Sequence, residues 1–340
     1  MDLWATEPPA DPYFDHRLNA WILSRYRDVS AALREARLIP AAARSAAAVP
    51  IDRGIHAEFR SQALRALAPA GIQQLEERFA PAANLLAAAL PTGEPVDLVE
   101  RYARPWSLQV AGIAAGIPPD RCHRLSSLAR SIFDAACEPY DETLAAAAQK
   151  ATVELAASFQ AAPPWNMQMF IALAHSLPAF LGNAWLALLE HPAEIADFPK
   201  AIDELLRFTG PAKAQFRQAA APVTIGDCGI PQNGHAILRL DIANRDPDEF
   251  SAPHSLRFDR RSSGHLAFGT GPHACVGAAL IKSAAAAATK ALLDRFRFAE
   301  QHTAEPVDCF AVRYVKSLTA ILRRNSLSAQ DADGIDSRRP

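Results

Sequence analysis

Residues 268–296 run from a loop holding three glycines, FGTGPHACVG, straight into VGAALIKSAAAAATKALLDRF, an alanine- and leucine-rich stretch with helical spacing of its apolar residues. This junction constrains the fold more than any other segment. Gly269, Gly271 and Gly277 admit positive φ and let the loop lie close to another surface. Alanine and leucine are strong helix formers, so Cys275 stands at a helix N-terminus, where amide donors and the dipole favour a thiolate. A lone thiolate on a glycine loop, with space for a planar group, suits a haem iron. The plainer use of such a residue is a small buried cysteine at a helix start.

The chain has 340 residues, half of them hydrophobic, enough to bury a sizeable core. Lysine and arginine number 35 against 37 acidic residues, a net charge of −2. Such a balance offers no electrostatic footprint for nucleic acid or an anionic membrane. The five cysteines (Cys122, Cys137, Cys228, Cys275, Cys309) are odd in number and lack CxxC spacing, which argues against a disulfide framework and a zinc site. MDLWATEPPADPYFDHRL carries charge and proline where a signal peptide needs an apolar run. No stretch offers about 18 uninterrupted apolar residues, so no membrane span is expected. A cytoplasmic protein in a reducing compartment follows.

Periodicity predicts helices over Asp28–Glu35, Ile55–Ala68, Ile72–Leu90, Val99–Ala115, Arg121–Ala135, Glu142–Phe159, Asn166–Glu190, Phe198–Phe208 and Val276–Phe296. Strand signals are short: Ala20–Ser24, Phe216–Gln218, Val223–Ile225, His235–Arg239 and Ser317–Leu322. The expected architecture is mainly α with small β-sheets, a single domain over 1–325. The polar, aperiodic residues 326–340 are expected to form a disordered tail.

FGTGPHACVG resembles, position by position, the cysteine-loop signature of the cytochrome P-450 family, F-G-x-G-x-H-x-C-x-G, with Phe268, Gly269, Gly271, His273, Cys275 and Gly277 all in place. The resemblance implies the cytochrome P-450 fold and a haem b whose iron is ligated by Cys275, with Phe268 beside the sulfur and His273 reaching a propionate. HAEFRSQALRALAP places His56 and Arg60 four apart on one helix face; it is similar to the family's C helix, whose His and Arg bind propionate. Arg217 in AKAQFRQAA matches a third propionate ligand. Glu204 and Arg207 in IDELLRF, by spacing alone an ordinary i,i+3 pair, match the family's E-x-x-R brace. Arg257 in SLRFDR is the expected third member. The likeness extends from WILSRYRDV (21–29) through ARPWSLQVAGIAAGIPP (103–119) to VKSLTAIL (315–322).

The chain departs from the family in two ways. The segments that normally roof the pocket are short, notably between Leu38 and His56 and at QAAPP (160–164). The central helix, MQMFIALAHSLPAFLGNAWLALLEHP, carries Leu173, His175 and Ser176 where the family has a glycine, an acid and an alcohol. Pro178 lacks an N–H and frees the carbonyl of Ala174, opening the helix. His175 and Ser176 are the expected proton relay in place of the acid and alcohol, against a reading in which His175 faces away and is satisfied in the core.

The resemblance implies a monooxygenase acting on an apolar small molecule, with electrons from a separate ferredoxin- or flavodoxin-type donor and Lys282 and Arg65 as candidates for its docking face. The altered central helix motivates one alternative, a peroxide-using or non-oxygen-activating haem-thiolate enzyme, and the shortened pocket roof another, a non-catalytic haem-bearing binding or partner protein. Phe159, Trp165, Met167, Met169, Phe170 and Phe180 are candidate pocket residues, although aromatic and Met residues at helical spacing serve as plain core too.

Overall fold

A computed structural model describes residues 4–41, 53–160, 162–192, 194–260 and 264–325, with the backbone alone described at 53–57, 59, 164, 299 and 300. The expected tail at 326–340 lies outside these residues. The helices are α1 (Tyr26–Arg34), α2 (Arg53–Ala66), α3 (Pro69–Ala88), α4 (Arg104–Ala115), α5 (Pro119–Cys137), α6 (Glu142–Ala157), α7 (Pro164–Ile171), α8 (Leu177–Glu190), α9 (Phe198–Thr209), α10 (Leu240–Ala243) and α11 (Ala278–Arg295). The strands are β1 (Tyr13–Asp15), β2 (Ala20–Leu23), β3 (Leu38–Pro40), β4 (Pro95–Asp97), β5 (Ala214–Ala219), β6 (Val223–Ile225), β7 (Cys228–Ile230), β8 (His235–Arg239), β9 (Phe296–Asp308) and β10 (Arg313–Arg324). They form a five-stranded sheet in the order β1-β2-β8-β5-β3, a three-stranded sheet β4-β10-β9 and the β6–β7 hairpin. Only β2 and β8 pair in parallel among the described strands.

The alanines of α11 explain how the core closes around it. Small side chains let neighbouring helices approach, and three aromatic residues from those neighbours place their polar tips on its polar groups. Tyr102 hydroxyl donates to the Ala288 carbonyl at 3.0 Å. Trp106 Nε1 donates to the Ala284 carbonyl at 3.2 Å and Trp185 Nε1 to Thr289 Oγ1 at 3.2 Å. All three aromatics are fully buried, so each polar tip needs its partner. Tyr102 and Trp185 also stack at 5.3 Å between ring centres.

Two helices carry a π-helical turn just ahead of a proline. Val99–Ala103 leads into α4 with Pro105 in its first turn, and Ala172–Ser176 leads from α7 into α8 with Pro178 in its first turn. The missing proline N–H and the ring's clash with the preceding turn widen the helix there. The opening expected before Pro178 is therefore present as a π turn. The stretch Trp165–Glu190 is long and apolar enough to cross a membrane, but 78% of its most apolar window is buried inside the fold.

Strand β9 escaped the periodicity reading. FRFAEQHTAEPVD is polar and mostly without alternation; its pairing with the apolar β10 along nearly its whole length makes it a strand.

Candidate functional site

The Cys275 loop folds back on itself before α11. Gly269 N–H donates to the Leu266 carbonyl and Cys275 N–H to the Phe268 carbonyl, each at 2.8 Å, and a 3₁₀ turn spans Gly271–His273. Gly269 and Gly271 have φ of +66° and +74°. Gly271 needs its bare Cα for a second reason: a Cβ there would lie 2.7 Å from the Leu33 carbonyl oxygen, at the end of α1. Gly277 corrects the expectation of positive φ, since its φ is −85°. Its Cβ would instead sit 3.9 Å from Cys275 Sγ, on the sulfur's own flank.

Cys275 is exposed, yet burial is the largest influence on its thiol and raises its pKa, while the Gly277 amide and the Arg60 charge pull the other way. The sulfur is open to solvent while surrounding protein atoms still desolvate it. Burial thus opposes the thiolate favoured at a helix start, and the net direction is upward. A metal ion reverses that balance when the sulfur binds it.

Cations stand beside this loop. Arg60 Nη1 donates to the Ala274 carbonyl at 2.6 Å, so α2 grips the loop directly. Arg217, on β5, is 4% exposed. Its Nη2 donates to Gln215 Oε1 at 2.6 Å and its Nη1 to the Phe216 carbonyl at 3.0 Å, but its Nε is buried without a partner among the described residues. No carboxylate pairs with it there, and burial pulls its pKa down to about 10. Gln215 and Arg217 alternate onto one face of β5, and Gln215 also approaches Gly269. Gln215 was not singled out from the sequence; its position two residues before Arg217 was the available signal. His273 is half-buried within the loop. The side chain of His56 lies outside the described residues, though its backbone belongs to α2 four residues before Arg60.

A buried arginine with an orphaned Nε needs an anion. The Cys275 sulfur is exposed on its loop and open to a metal ion. Propionates suit the arginine and an iron suits the sulfur, so the residues present fit a haem.

The expected relay is not assembled. His175 turns toward α5, where its Nε2 donates to the Ser126 carbonyl at 2.9 Å and its ring lies 5.6 Å from that of Phe133. Burial pushes its pKa down to about 4. It lines a cavity of about 460 Å³ with Arg104, Arg130, Pro178 and Tyr314, and no residue of the Cys275 loop walls that cavity. Ser176 is half-buried on the same π turn, and Leu173 is 1% exposed in the core. Phe159, Met169, Phe170 and Phe180 are likewise buried in the main core, with Trp165 and Met167 packed against it. None of the six lines either described cavity.

The brace behind the site has a different third member from the one expected. Arg207 clasps Glu204 through Nε and Nη2 at 2.8 and 2.7 Å. Arg260 Nε completes it at 2.9 Å to Glu204 Oε1. Arg257 contributes only its backbone N–H, at 2.9 Å, and its side chain pairs with Asp259. Lys282 is paired with Asp203 at 3.2 Å and remains 40% exposed, while Arg65 donates to Ser61 Oγ at 2.7 Å.

Residues 198–320 match the family model described as cytochrome P-450. Cytochrome P-450 107B1 of Saccharopolyspora erythraea is 26% identical over 333 residues, covering 82% of each chain. Vitamin D(3) 25-hydroxylase of Pseudonocardia autotrophica is 30% identical over 311 residues, covering 77% of each. Among solved structures, P-450 BioI in complex with a hexadec-9Z-enoic acid-ligated acyl carrier protein superimposes with a TM-score of 0.81 at 20% identity, over 92% of this chain and 94% of that one. The mainly helical architecture with small sheets is therefore the cytochrome P-450 fold.

Proposed function

This chain belongs to the cytochrome P-450 family of monooxygenases, and from that premise we propose that Cys275 binds the iron of a haem b and that the enzyme inserts one atom of dioxygen into an apolar small molecule, with electrons from a separate ferredoxin- or flavodoxin-type donor. The observation that carries this reading is the accessible Cys275 thiol on a glycine loop gripped by Arg60, with the buried Arg217 linked to that loop through Gln215, which approaches Gly269. We assign a cytoplasmic location; the burial of Trp165–Glu190 within the fold supports a core helix there rather than a membrane span.

When bound, haem supplies activation of dioxygen at its iron. The chain does the rest. Cys275 gives up its thiol proton on ligation, and the Gly277 amide and Arg60 charge stabilise the resulting anionic sulfur. Arg217, with Gln215 holding its Nη2 and its Nε without a partner among the described residues, would hold a propionate. Arg60 and His273, with His56 by its place on α2, would supply the further positive charge for the propionates, and Phe268 and Gly269 shape the loop. Ser176 presents a hydroxyl on the π turn that can hold a proton at Oγ. His175 acts on that turn from behind by fixing it to α5. Lys282 and Arg65 offer positive charge for a docking electron donor.

A second reading, a peroxide-using or non-oxygen-activating enzyme, is favoured by one observation: His175 is committed to Ser126, so the π turn offers a single hydroxyl and no acid. One experiment separates the two. The haem-loaded protein is first checked for a thiolate-type optical spectrum that Cys275→Ser abolishes. It is then given substrate candidates with ¹⁸O₂ and a ferredoxin–reductase pair, or with hydrogen peroxide alone. Label in the product supports the monooxygenase; product with peroxide only supports the second reading. A spectrum unchanged by Cys275→Ser would overturn both.

A further inference from the structure

Two thiols meet where the end of α5 abuts the turn between β9 and β10. Cys137 is the last residue of α5 and is 3% exposed; Cys309 opens the turn and is half-buried. Both pack in one small apolar cluster with Phe133, Ala179 and Tyr314, and each thiol influences the other's titration, as neighbours in that cluster do. Backbone contacts hold the two segments together. Ala311 N–H donates to the Cys137 carbonyl at 3.0 Å and Cys309 N–H to the Val312 carbonyl at 2.9 Å. Lys213 Nζ donates to the Cys309 carbonyl at 2.8 Å, and Phe310 N–H donates to Glu138 Oε1 at 3.2 Å. The nearness of the thiols is thus a consequence of a pinned seam rather than of two freely rotating side chains.

We propose that Cys137 and Cys309 form a reversible disulfide on exposure to hydrogen peroxide, fastening the end of α5 to the β9–β10 turn. Cys309, the more accessible of the two, attacks one peroxide oxygen through its thiolate, a minority form because burial and the Glu138 charge raise its pKa, and the O–O bond breaks. This leaves a sulfenic acid and, after protonation, one water. Cys137 sulfur then displaces the sulfenic oxygen as a second water, forming the S–S bond. Two thiols are oxidised by two electrons in all, and one peroxide is reduced to two waters. Thioredoxin-type dithiols reverse the step, as expected of a disulfide in a reducing compartment.

The seam matters because of what lies beside it. Phe310 stacks on Phe216 with ring centres 6.0 Å apart, and Tyr140 meets both rings edge-on. Tyr140 and Phe216 wall a cavity of about 160 Å³ that also touches Arg217. Tyr140 follows α5 by three residues and Phe310 follows Cys309 directly, so the bond would tie two of the three rings to one anchor. Helix α6 packs chiefly on α5, so the bond would restrain that helical pair as well.

The test uses the full-length haem-loaded protein, with peptide mass spectrometry as readout so that damage to the cofactor is immaterial. Peroxide should yield one cross-linked pair containing Cys137 and Cys309, two hydrogens lighter than the separate peptides and released by dithiothreitol. Cys122 and Cys228 serve as internal controls that stay reduced. Cys309→Ser, at a half-buried position of similar volume, should leave Cys137 a thiol. In the cross-linked protein, amide hydrogen exchange at residues 138–141 and 309–312 should slow at least about tenfold. Recovery of both residues as thiols, or as separate sulfinic acids, would overturn the proposal. So would a cross-link that appears only after denaturation, and unchanged exchange would remove its fastening role.

Discussion

Arg260 Nε lies 2.9 Å from Glu204 Oε1, and this contact closes the brace that Arg207 begins. The Glu204 and Arg207 side chains are 2% and 0% exposed and that of Arg260 is 9% exposed, so a single carboxylate compensates two largely desolvated cations. Arg207 is further satisfied by the carbonyls of Asn244, Pro253 and Ser255. Removing the carboxylate charge with Glu204→Gln strands both guanidiniums and should destabilise the protein by about 3–5 kcal/mol. Arg260→Ala should cost less and Arg257→Ala within about 0.5 kcal/mol, because Arg257 serves the brace through its backbone. Chemical denaturation of the three variants checks the order. Equal losses for Arg257→Ala and Arg260→Ala would contradict it.

Two glycines of the cysteine loop should fail in different ways. Gly271→Ala combines a left-handed backbone with a Cβ 2.7 Å from the Leu33 carbonyl oxygen. It should cost at least about 1–3 kcal/mol of stability in the cofactor-free protein. Gly277→Ala meets ordinary φ and no contact closer than 3.9 Å, so the cofactor-free fold should be unaffected. Its methyl group flanks the sulfur, however, and should lower the haem-to-protein ratio on reconstitution. Paired melting curves and haem titrations distinguish the two.

These differences show where sequence stops informing structure. Cys275, Arg60 and Arg217 were legible because their neighbours in sequence fix them: a glycine loop, an i,i+4 helix face, a strand. Arg260 was missed because it and Arg257 occupy an irregular segment where spacing specifies no direction. His175 follows the second of its two readings, facing away into the core, for a sharper reason. A π turn inserts one residue into the helix and rotates everything beyond it by about 100°, so a projection at 3.6 residues per turn loses phase where His175 and Ser176 lie. The proline announced the break but not which side chain would face α5. The Cys137–Cys309 seam had no local signal at all, since its partners lie in separate elements far apart in the chain.

Arg217 should behave as a residue the fold tolerates and the cofactor needs. It is buried, its Nε has no partner and no carboxylate among the described residues offsets its charge. Arg217→Met keeps much of the packing and removes the desolvated cation. The unfolding free energy of the cofactor-free protein should therefore stay level or rise, by at most about 3 kcal/mol. Haem affinity should fall about tenfold to a hundredfold, the loss of one charged hydrogen bond. A variant that loses stability without haem and binds haem normally would show that Arg217 is merely structural.

His175 sets an acid limit on stability. Its pKa is near 4 in the fold against an ordinary 6.5, chiefly through burial, opposed by its bond to Ser126. Between those values the unfolded chain binds a proton that the native imidazole refuses, so native stability falls as pH drops from about 6.5 to 4 and is fully retained above that window. The loss attributable to this residue approaches about 3 kcal/mol at the acid end. His175→Gln retains a donor for the Ser126 carbonyl and removes the titration, so urea denaturation across this range should show a flatter acid limb. The same variant should keep its yield of product per electron, because the imidazole faces α5. Ser176→Ala should lower that yield roughly tenfold, as loss of a positioned proton donor does. A steep acid limb in His175→Gln would mean that another group carries the dependence. A collapse in its product yield would return His175 to the proton path.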